Sequence, residues 1–381
     1  MVEQRRLVIR LFVYLGAFLY RKESAMSKFL CEKYKNLEPY VPGEQPKDRE
    51  YIKLNANETS MLPSPRVYEV LRSGRMKRLG FYADPDALEL RNAIAEKYEV
   101  TADEVFAGNG SDEVLGMIFL AFFDEHSKIA YPDISYGFYK VFAKSFGIDG
   151  TAIPLKEDFT VDVDAFIASG RHIILANPNA PTGYVLPVSE IERMVASDEN
   201  RLVIIDEAYV DYGNETCIPL TKKYKNLIVV HTMSKSRNLA GAHIGYCIAD
   251  KELIKDLNGM KYSFNPFSLS DFSIAVGTAA MKDSAYYEEC VAMIIEERAY
   301  LSEELRKLGF EVLESHTNFI FVHHSVMHAK EYQEKLKNAG ILTRYFPQER
   351  IDNYLRITIG TREEMEAVVA ATRDILQKAA A

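Results

Sequence analysis

Short apolar runs alternate with segments of helical periodicity through the middle of the chain. Such runs predict buried strands, and apolar residues spaced three and four apart predict amphipathic helices. The predicted strands comprise residues 52–54, 128–131, 151–155, 172–176, 201–206, 227–231 and 243–248. The predicted helices comprise residues 87–98, 111–122, 136–146 and 188–196. Strands that alternate with helices form a mostly parallel sheet covered by helices on both faces, so we predict an α/β fold.

The pattern changes after residue 250. The later segments predict helices at 268–281, 284–308, 329–338 and 362–378, and strands at 310–313, 318–322 and 355–359. This order predicts a smaller α+β lobe that follows a long helix. We therefore divide the chain into a non-core N-terminal extension (1–25), an extended arm (26–51), a large α/β domain (52–282) and a small C-terminal domain (283–381).

The composition is that of a globular protein with an acidic surface. The 381 residues are 48% hydrophobic and 27% charged, and the formal net charge is −9. This charge, without a dense run of Lys and Arg, argues against nucleic acid as the main partner, but it permits a locally basic pocket for an anionic small molecule. The four cysteines, at 31, 217, 247 and 290, form no closely spaced pair. They predict reduced thiols in a cytoplasmic protein and no metal site.

The first 25 residues combine Arg5 and Arg6 with an apolar run, as secretory signal peptides do. Arg10 interrupts that run, and the uncharged stretch 11–20 is too short to span a bilayer. The cleavage-site pattern near Ala25 is poor, so export is the weaker alternative. We predict an extension upstream of a start at Met26, and no membrane partner.

Lys235 lies in a loop of small residues between the predicted strands 227–231 and 243–248. A lysine next to two buried strands is unfavourable unless it is paired or covalently engaged. Desolvation favours its neutral amine, the nucleophile that forms a Schiff base. Taken alone, the loop fits an ordinary lysine at a strand end better, and the remaining loops reverse that balance.

Three further polar loops occupy positions where open α/β sheets bind ligands. Residues 108–113 place glycines at a helix start, which suits a phosphate, although a turn capped by Ser111 explains them equally well. Residues 177–183 form a turn rich in asparagine and proline after a strand. Asp206 ends another strand, and a carboxylate buried there needs a cationic partner. A metal is the weaker alternative, because no further metal ligands accompany Asp206.

Together these loops supply an amine, a buried carboxylate, an asparagine, a tyrosine and an anion-binding helix end. That set suits pyridoxal phosphate (PLP). Asp206 would pair with the pyridinium nitrogen, and Lys235 would attach the cofactor and then move the substrate's α-proton. The backbone amides of Ser111 and Asp112, with Ser234, would hold the phosphate.

The order and spacing of these loops resemble the fold type I, class I/II PLP-dependent aminotransferases, from about Met26 to the C-terminus. The motifs that carry the resemblance are Glu38-Pro39-Tyr40, Lys53 to Glu58, Tyr82 before Asp84-Pro85-Asp86, Gly110 to Glu113, Asn177 to Gly183, Asp206 to Tyr209, Ser234-Lys235 and Leu355-Arg356-Ile357. The resemblance is closest to the branch that acts on histidinol phosphate in histidine biosynthesis. It implies a transaminase that takes histidinol phosphate as amino donor and 2-oxoglutarate as acceptor.

The resemblance also implies roles for tyrosines and arginines along the chain. Tyr136 should stack on the cofactor ring, and Tyr209 should hydrogen-bond its 3′-oxygen. Tyr82 should reach the cofactor phosphate of a neighbouring subunit, which implies a homodimer. The implied substrate pocket is lined by Tyr40, Asn57, Arg344 and Arg356, whose guanidinium groups suit carboxylate and phosphate. Core packing of Tyr136 and Tyr209 and structural ion pairs of the arginines are the alternatives.

Two positions depart from the family pattern. Eight residues after the lysine, where the family usually has an arginine on the cofactor phosphate, this chain has His243. An imidazole loses its charge near neutral pH and has no bidentate fork, so we predict weaker cofactor retention at alkaline pH. Ala180 replaces the family's asparagine before Pro-Thr-Gly, and Asn179 is the candidate for the missing contact with the 3′-oxygen.

Three other functions fit parts of this pattern. Decarboxylation of threonine phosphate uses the same scaffold, and a different amino-acid aminotransferase is the next choice. A PLP-binding regulator is the alternative from another class, and the departures at 180 and 243 give it weight. Regulators of this fold commonly add an N-terminal DNA-binding module, whereas the N-terminal segment here has no helix-turn-helix pattern.

Overall fold

The structure, a computed structural model, describes residues 27–35, 37–38 and 40–380. The predicted extension at 1–25 lies outside the described residues, as does Pro39 of the arm. The chain divides into two compact units, Met1–Pro42 and Gly43–Ala381. In the first unit, the described residues form one 3-10 turn at Glu32–Tyr34 and otherwise have no regular secondary structure.

A seven-stranded sheet forms the centre of the second unit. In chain order, the strands up to residue 249 are β1 (Ile52–Lys53), β2 (Val105–Gly108), β3 (Lys128–Pro132), β4 (Asp149–Ile153), β5 (His172–Ala176), β6 (Val203–Asp206), β7 (Leu227–Thr232) and β8 (Gly245–Ala249). All but β1 join the sheet, in the order β2-β8-β7-β6-β5-β3-β4. The pairings from β7 to β4 are parallel, and the two pairings of β8 are antiparallel. The predicted mostly parallel sheet is therefore confirmed.

Helices cover both faces of this sheet. They are α1 (Pro65–Arg72), α2 (Leu88–Tyr98), α3 (Gly110–Phe122), α4 (Phe138–Phe146), α5 (Val163–Ala168), α6 (Val188–Ala196), α7 (Lys251–Phe264) and α8 (Asp271–Met281). In β7, Leu227 and Val229 pack into one hydrophobic cluster and Ile228 and Val230 into the other. Successive side chains of a strand point to opposite faces, so a strand covered on both faces is apolar throughout.

The C-terminal part has its own hydrophobic cluster. It contains helices α9 (Ser284–Lys307), α10 (Ala329–Asn338) and α11 (Arg362–Ala380), and strands β9 (Phe310–Val312), β10 (Phe319–His324), β11 (Ile341–Leu342), β12 (Arg344–Tyr345) and β13 (Tyr354–Thr358). Four of these strands form an antiparallel sheet in the order β12-β13-β10-β9. The cluster includes Leu301, Ile320 and Ile357. The domain boundary between residues 282 and 283 stays a prediction, because residues 43–381 form one compact unit.

The N-terminal strand β1 joins this part of the molecule. It pairs in parallel with β11, where Ile52 is opposite Ile341. Residues that follow β1 are thereby carried toward β13, and the Thr358 N–H donates to the carbonyl of Leu54 at 3.0 Å. Among the described residues, no helix is both long and apolar enough to cross a membrane.

Several elements differ from the sequence prediction. The periodicity did not identify α1, β2, α5, α7, β11 or β12. Strand β2 has four residues, and β11 and β12 have two each, so they are too short to show alternation. Strand β4 lies at 149–153 rather than 151–155, because it is an edge strand held by β3 and begins with exposed, polar Asp149.

Candidate active site

A cavity of about 260 Å³ lies at the carboxyl ends of β5, β6 and β7. Small-molecule sites in open α/β sheets occupy this position. Its walls are formed by Ala56, Glu58, Gly110, Ser111, Asp112, Tyr136, Ala176, Ala180, Asp206, Ala208, Tyr209, Thr232, Ser234, Lys235, Ala240 and His243. The fold therefore brings together parts of all four loops that the sequence singled out.

Lys235 is partly buried in the loop after β7. Its Nζ lies 3.5 Å from the carbonyl oxygen of Ala56 and 5.9 Å from the ring centroid of Tyr209. Burial and the nearby positive charge of Arg356 lower the pKa of Lys235 to about 8. A substantial fraction of this amine is therefore neutral near physiological pH, which is the form that attacks a carbonyl carbon.

Asp206 is the last residue of β6 and is buried. Its Oδ2 accepts a hydrogen bond from the Tyr139 hydroxyl at 2.9 Å, and its Oδ1 accepts one from the Ala208 N–H at 3.2 Å. Burial raises the pKa of Asp206 to about 6, even though these two donors lower it. A carboxylate in this environment is stabilised by a cation or by a protonated ring nitrogen.

The start of α3 forms one end of the cavity. The helix begins at Gly110 with Asn109 as N-cap, so Ser111 is not the capping residue that the sequence predicted. Gly245 at the start of β8 packs directly against it: a Cβ there would lie 2.3 Å from the Ser111 nitrogen. Backbone N–H groups at a helix start, with the hydroxyl of Ser234 on the same cavity, suit a phosphate.

His243 lies across this helix start. Its backbone is in the left-handed region with φ 51°, and its side chain is exposed. Nδ1 lies 3.3 Å from Asn109 Oδ1, and a Cβ on Gly110 would lie 2.5 Å from the imidazole Cε1. The imidazole therefore borders the end of the cavity where the α3 amides point.

Tyr136 and Tyr209 line the cavity, and the hydroxyl of each forms a hydrogen bond. The Tyr136 hydroxyl donates to Asp112 Oδ1 at 2.7 Å. Asn57 Nδ2 donates to the Tyr209 hydroxyl at 2.8 Å, and burial raises the pKa of that phenol. Asn57 is itself held at φ 54° through hydrogen bonds with Thr358.

The two predicted arginines are neighbours on the C-terminal sheet. Arg344 and Arg356 are directly opposite each other on β12 and β13, and both guanidinium groups lie over the ring of Phe346. Arg356 Nη2 donates to the carbonyl of Asn55 at 3.1 Å. Neither arginine borders the cavity itself, but Arg356 is close enough to influence Lys235 electrostatically.

Asn179 is buried beside the cavity without bordering it. Its Nδ2 donates to the Ile134 carbonyl at 2.9 Å and to Thr182 Oγ1 at 3.0 Å, and its Oδ1 accepts from Ser135. These contacts hold the turn, so they give no support to a contact between Asn179 and the cofactor. Ala180 does border the cavity.

The remaining predicted site residues lie elsewhere. Tyr82 is 80% exposed, and its ring stacks on Phe267 with centroids 4.4 Å apart. Tyr40 is exposed and belongs to the separate unit that ends at Pro42. Their roles stay predictions.

Sequence reasoning missed Tyr139 and Glu58 as groups at or near the site. Tyr139 lies three residues after Tyr136, and this close spacing of two tyrosines was the available signal that both belong to the same region of the site. Glu58 ends the motif 53–58, and its carboxylate pairs with Lys53 at 2.5 Å. Polarity alone did not distinguish Glu58 from a surface residue.

The fold is that of a transaminase family. The sequence profile of the family "Aminotransferase class I and II" matches residues 49–371, and the chain belongs to that family. The resemblance identified from the motifs is thereby confirmed, as is the prediction of an aminotransferase.

Individual relatives within that family are also similar to this chain. The chain is 45% identical over 353 residues to a histidinol-phosphate aminotransferase of Brachyspira hyodysenteriae, covering 92% of this chain and 100% of that protein. It is 46% identical over 340 residues to a histidinol-phosphate aminotransferase of Clostridium acetobutylicum, covering 89% and 97%. The crystal structure of the Sinorhizobium meliloti histidinol-phosphate aminotransferase in complex with pyridoxal-5′-phosphate is 24% identical. It superposes with a TM-score of 0.79 over 87% of this chain and 92% of that one. This last similarity supports the predicted fold.

Proposed function

We propose that this chain is a PLP-dependent aminotransferase that transfers the amino group of histidinol phosphate to 2-oxoglutarate in histidine biosynthesis. The two relatives at 45% and 46% identity carry that name, and each aligns over nearly its whole length. The observation that carries the proposal is the presence of Lys235 and the buried Asp206 on one cavity beside a helix start.

The residues around the cavity fit PLP by their chemistry. Lys235 supplies the amine that bonds covalently to the cofactor aldehyde, and Asp206 supplies the carboxylate for the ring nitrogen. The phosphate is held by the amides of Ser111 and Asp112, by the hydroxyl of Ser234 and by His243. Tyr136 would stack on the ring, and Tyr209 would hydrogen-bond the 3′-oxygen. Gly245 leaves space for the close approach of β8 that this helix start requires.

The chemistry is divided between these side chains. When bound, PLP delocalises the negative charge that develops at the substrate's α-carbon. The neutral Nζ of Lys235 would accept the substrate's α-proton and would later return a proton to the substrate. Burial and Arg356 keep this amine partly neutral, so that it can accept a proton near pH 8. Asp206 stays ionised next to the ring nitrogen.

The proposal includes the substrates and the assembly. Arg344 and Arg356 bind the phosphate of one substrate and the carboxylates of the other, with Asn57 in the same pocket. The protein acts as a homodimer in the cytoplasm, in which the exposed Tyr82 contacts the cofactor phosphate of the second subunit. Its four cysteines are free thiols, and three are buried, which supports a reducing compartment.

Two measurements test this function. Lys235→Ala should abolish the visible absorbance of the covalently attached cofactor, whereas Lys251→Ala, at an exposed helical lysine, should retain it. A panel of amino donors should convert bound PLP to the pyridoxamine form fastest with histidinol phosphate. Carbon dioxide release from threonine phosphate without an oxo acid would instead identify a decarboxylase.

A further inference from the structure

Tyr139 is a fully buried tyrosine in the first turn of α4. Its hydroxyl donates to Asp206 Oδ2 at 2.9 Å, and the Ala208 N–H donates to Oδ1 at 3.2 Å. One donor on each oxygen fixes the plane of the carboxylate. The remaining acceptor positions of Asp206 stay available to a proton donor in the cavity.

We propose that Tyr139 is a positioning residue: its hydroxyl orients the Asp206 carboxylate and keeps it ionised, so that Asp206 can hold a proton on the cofactor's ring nitrogen. The inference rests on the proposed function, because it assigns Asp206 to that nitrogen. Tyr139 itself contacts Asp206 and acts through it.

The electrostatic surroundings of Asp206 explain why such a donor matters. The groups that face it are Tyr139 from α4, Asp112 from α3, His231 from β7 and, across the cavity, Lys235 and Tyr209. Burial and the negative charge of Asp112 raise its pKa, while Tyr139, the Ala208 N–H and His231 lower it. The value of about 6 lies close to neutral pH, so loss of one donor protonates a large fraction of Asp206. A neutral carboxylic acid does not stabilise a cationic ring nitrogen.

Tyr136, just before α4, contacts another carboxylate of the cavity. The Tyr136 hydroxyl donates to Asp112 Oδ1, and the rings of Tyr136 and Tyr139 meet edge to face with centroids 5.7 Å apart. Two tyrosines three residues apart therefore each contact one carboxylate, Tyr136 that of Asp112 and Tyr139 that of Asp206. Replacing Tyr139 by phenylalanine preserves this ring contact and removes the hydroxyl alone.

The experiment is Tyr139→Phe in the holoenzyme, studied in the half-reaction with histidinol phosphate. The acid limb of kcat/KM should move to higher pH by about one unit, and kcat should fall roughly two-fold at pH 7 and up to about ten-fold below pH 6, with little change in KM. The pH titration of the bound cofactor's absorbance should move in the same direction. The matched control is Tyr332→Phe, which removes an equally buried hydroxyl that bonds Thr372 at 2.7 Å in the C-terminal cluster. It should lower stability without moving either pH profile.

Two further variants separate the possible outcomes. Tyr139→His retains a ring nitrogen that can donate, and its acid limb should fall between those of the parent and Tyr139→Phe. If Tyr139→Phe does not fold, the acid limb of Tyr139→His tests whether residue 139 acts on Asp206. In the Asp206→Asn background, Tyr139→Phe should have no further effect on the absorbance titration.

Unchanged pH profiles in the Tyr139 variants would overturn the inference. If Lys235→Ala nevertheless abolishes the covalently attached cofactor, the proposed function stands and this inference alone fails. If Lys235→Ala leaves the cofactor absorbance unchanged, the proposed function fails first.

Discussion

At the residue scale, the cofactor phosphate is expected to contact neutral donors and one imidazole. The amides of α3 and the hydroxyl of Ser234 are neutral at every physiological pH. His243 borders the same end of the cavity, and its ring lies against Gly110. An uncharged imidazole binds a phosphate less strongly than a permanently charged guanidinium, so we expect this position to contribute to the pH dependence of cofactor retention.

His243→Arg tests that expectation. A guanidinium keeps its charge at all relevant pH values and binds phosphate in a bidentate manner. PLP should dissociate from the parent roughly ten-fold or more readily than from the variant at pH 8.5, with a much smaller difference at pH 6. Dissociation constants of the cofactor, measured by fluorescence across this range, provide the comparison.

The control for this substitution is His243→Asn. Asparagine tolerates the left-handed backbone at this position and removes the imidazole, so retention should be weaker than in His243→Arg at every pH. Equal dissociation constants for the parent and His243→Arg throughout the pH range would contradict the role of His243.

Some site residues could be predicted from the sequence, because their position is set by neighbouring residues in the chain. Lys235 and Asp206 follow apolar strands directly, and the rule for strand ends then places both at one edge of the sheet. Tyr139 could not be assigned, because its partner Asp206 is 67 residues away and a tyrosine on a helix face looks like core. The influence of Arg356 on Lys235 likewise depends on tertiary contact.

At the scale of secondary-structure elements, the sequence predicted correctly the strands that are buried along almost their whole length. Strands β5, β6 and β7 are apolar because both of their faces are covered, and their length and flanking polar residues identified them. Strand β4 was predicted two residues too late in the chain, since an edge strand with exposed positions lacks a continuous apolar run. Helix α7 was not predicted, although it lies between β8 and α8, which both correspond to predicted elements.

Gly245→Ala tests the close packing between β8 and α3. A Cβ would lie 2.3 Å from the Ser111 nitrogen and 2.4 Å from the Gly110 carbonyl carbon, so the strand and the helix start must separate. We expect a loss of about 1–3 kcal/mol in the free energy of unfolding, together with weaker cofactor binding. Urea unfolding and cofactor titration measure the two effects.

Gly241→Ala is the matched control for Gly245→Ala. It lies in the same loop region, and its added Cβ meets open space. The free energy of unfolding should therefore change little. A Gly245→Ala protein with parental stability and cofactor affinity would show that β8 and α3 can move apart without cost.

At the scale of the whole molecule, Asp206 links the active site to stability. Its pKa rises from 3.8 to about 6 on folding, mainly because of burial. The stabilisation that comes from the protonated acid is fully present below the pKa of Asp206 in the unfolded state. It is lost as the pH rises through the pKa of Asp206 in the folded state. Above pH 7 the ionised carboxylate therefore costs the apoprotein about 3 kcal/mol.

Asp206→Asn should accordingly stabilise the apoprotein at pH 8 by up to about 3 kcal/mol, and much less at pH 4. Urea unfolding of parent and variant at both pH values measures this difference. Asp124→Asn is the control, because hydrogen bonds from Ser127 and His126 lower the pKa of that exposed carboxyl. It should not stabilise the protein at pH 8. A stability difference for Asp206→Asn that does not vary with pH would contradict the expected cost of ionisation.

The contacts around Asn57 have a consequence for protein synthesis. Asn57 depends on Thr358 and Asn318, which are translated some 260 to 300 residues later. By contrast, Ser111, Asp206 and Lys235 all belong to the first 250 residues. During translation the groups assigned to the cofactor therefore leave the ribosome long before Asn57 can be fixed. We expect Asn57, and the Tyr209 hydroxyl that it contacts, to reach their final positions only after the C-terminal sheet has been synthesised.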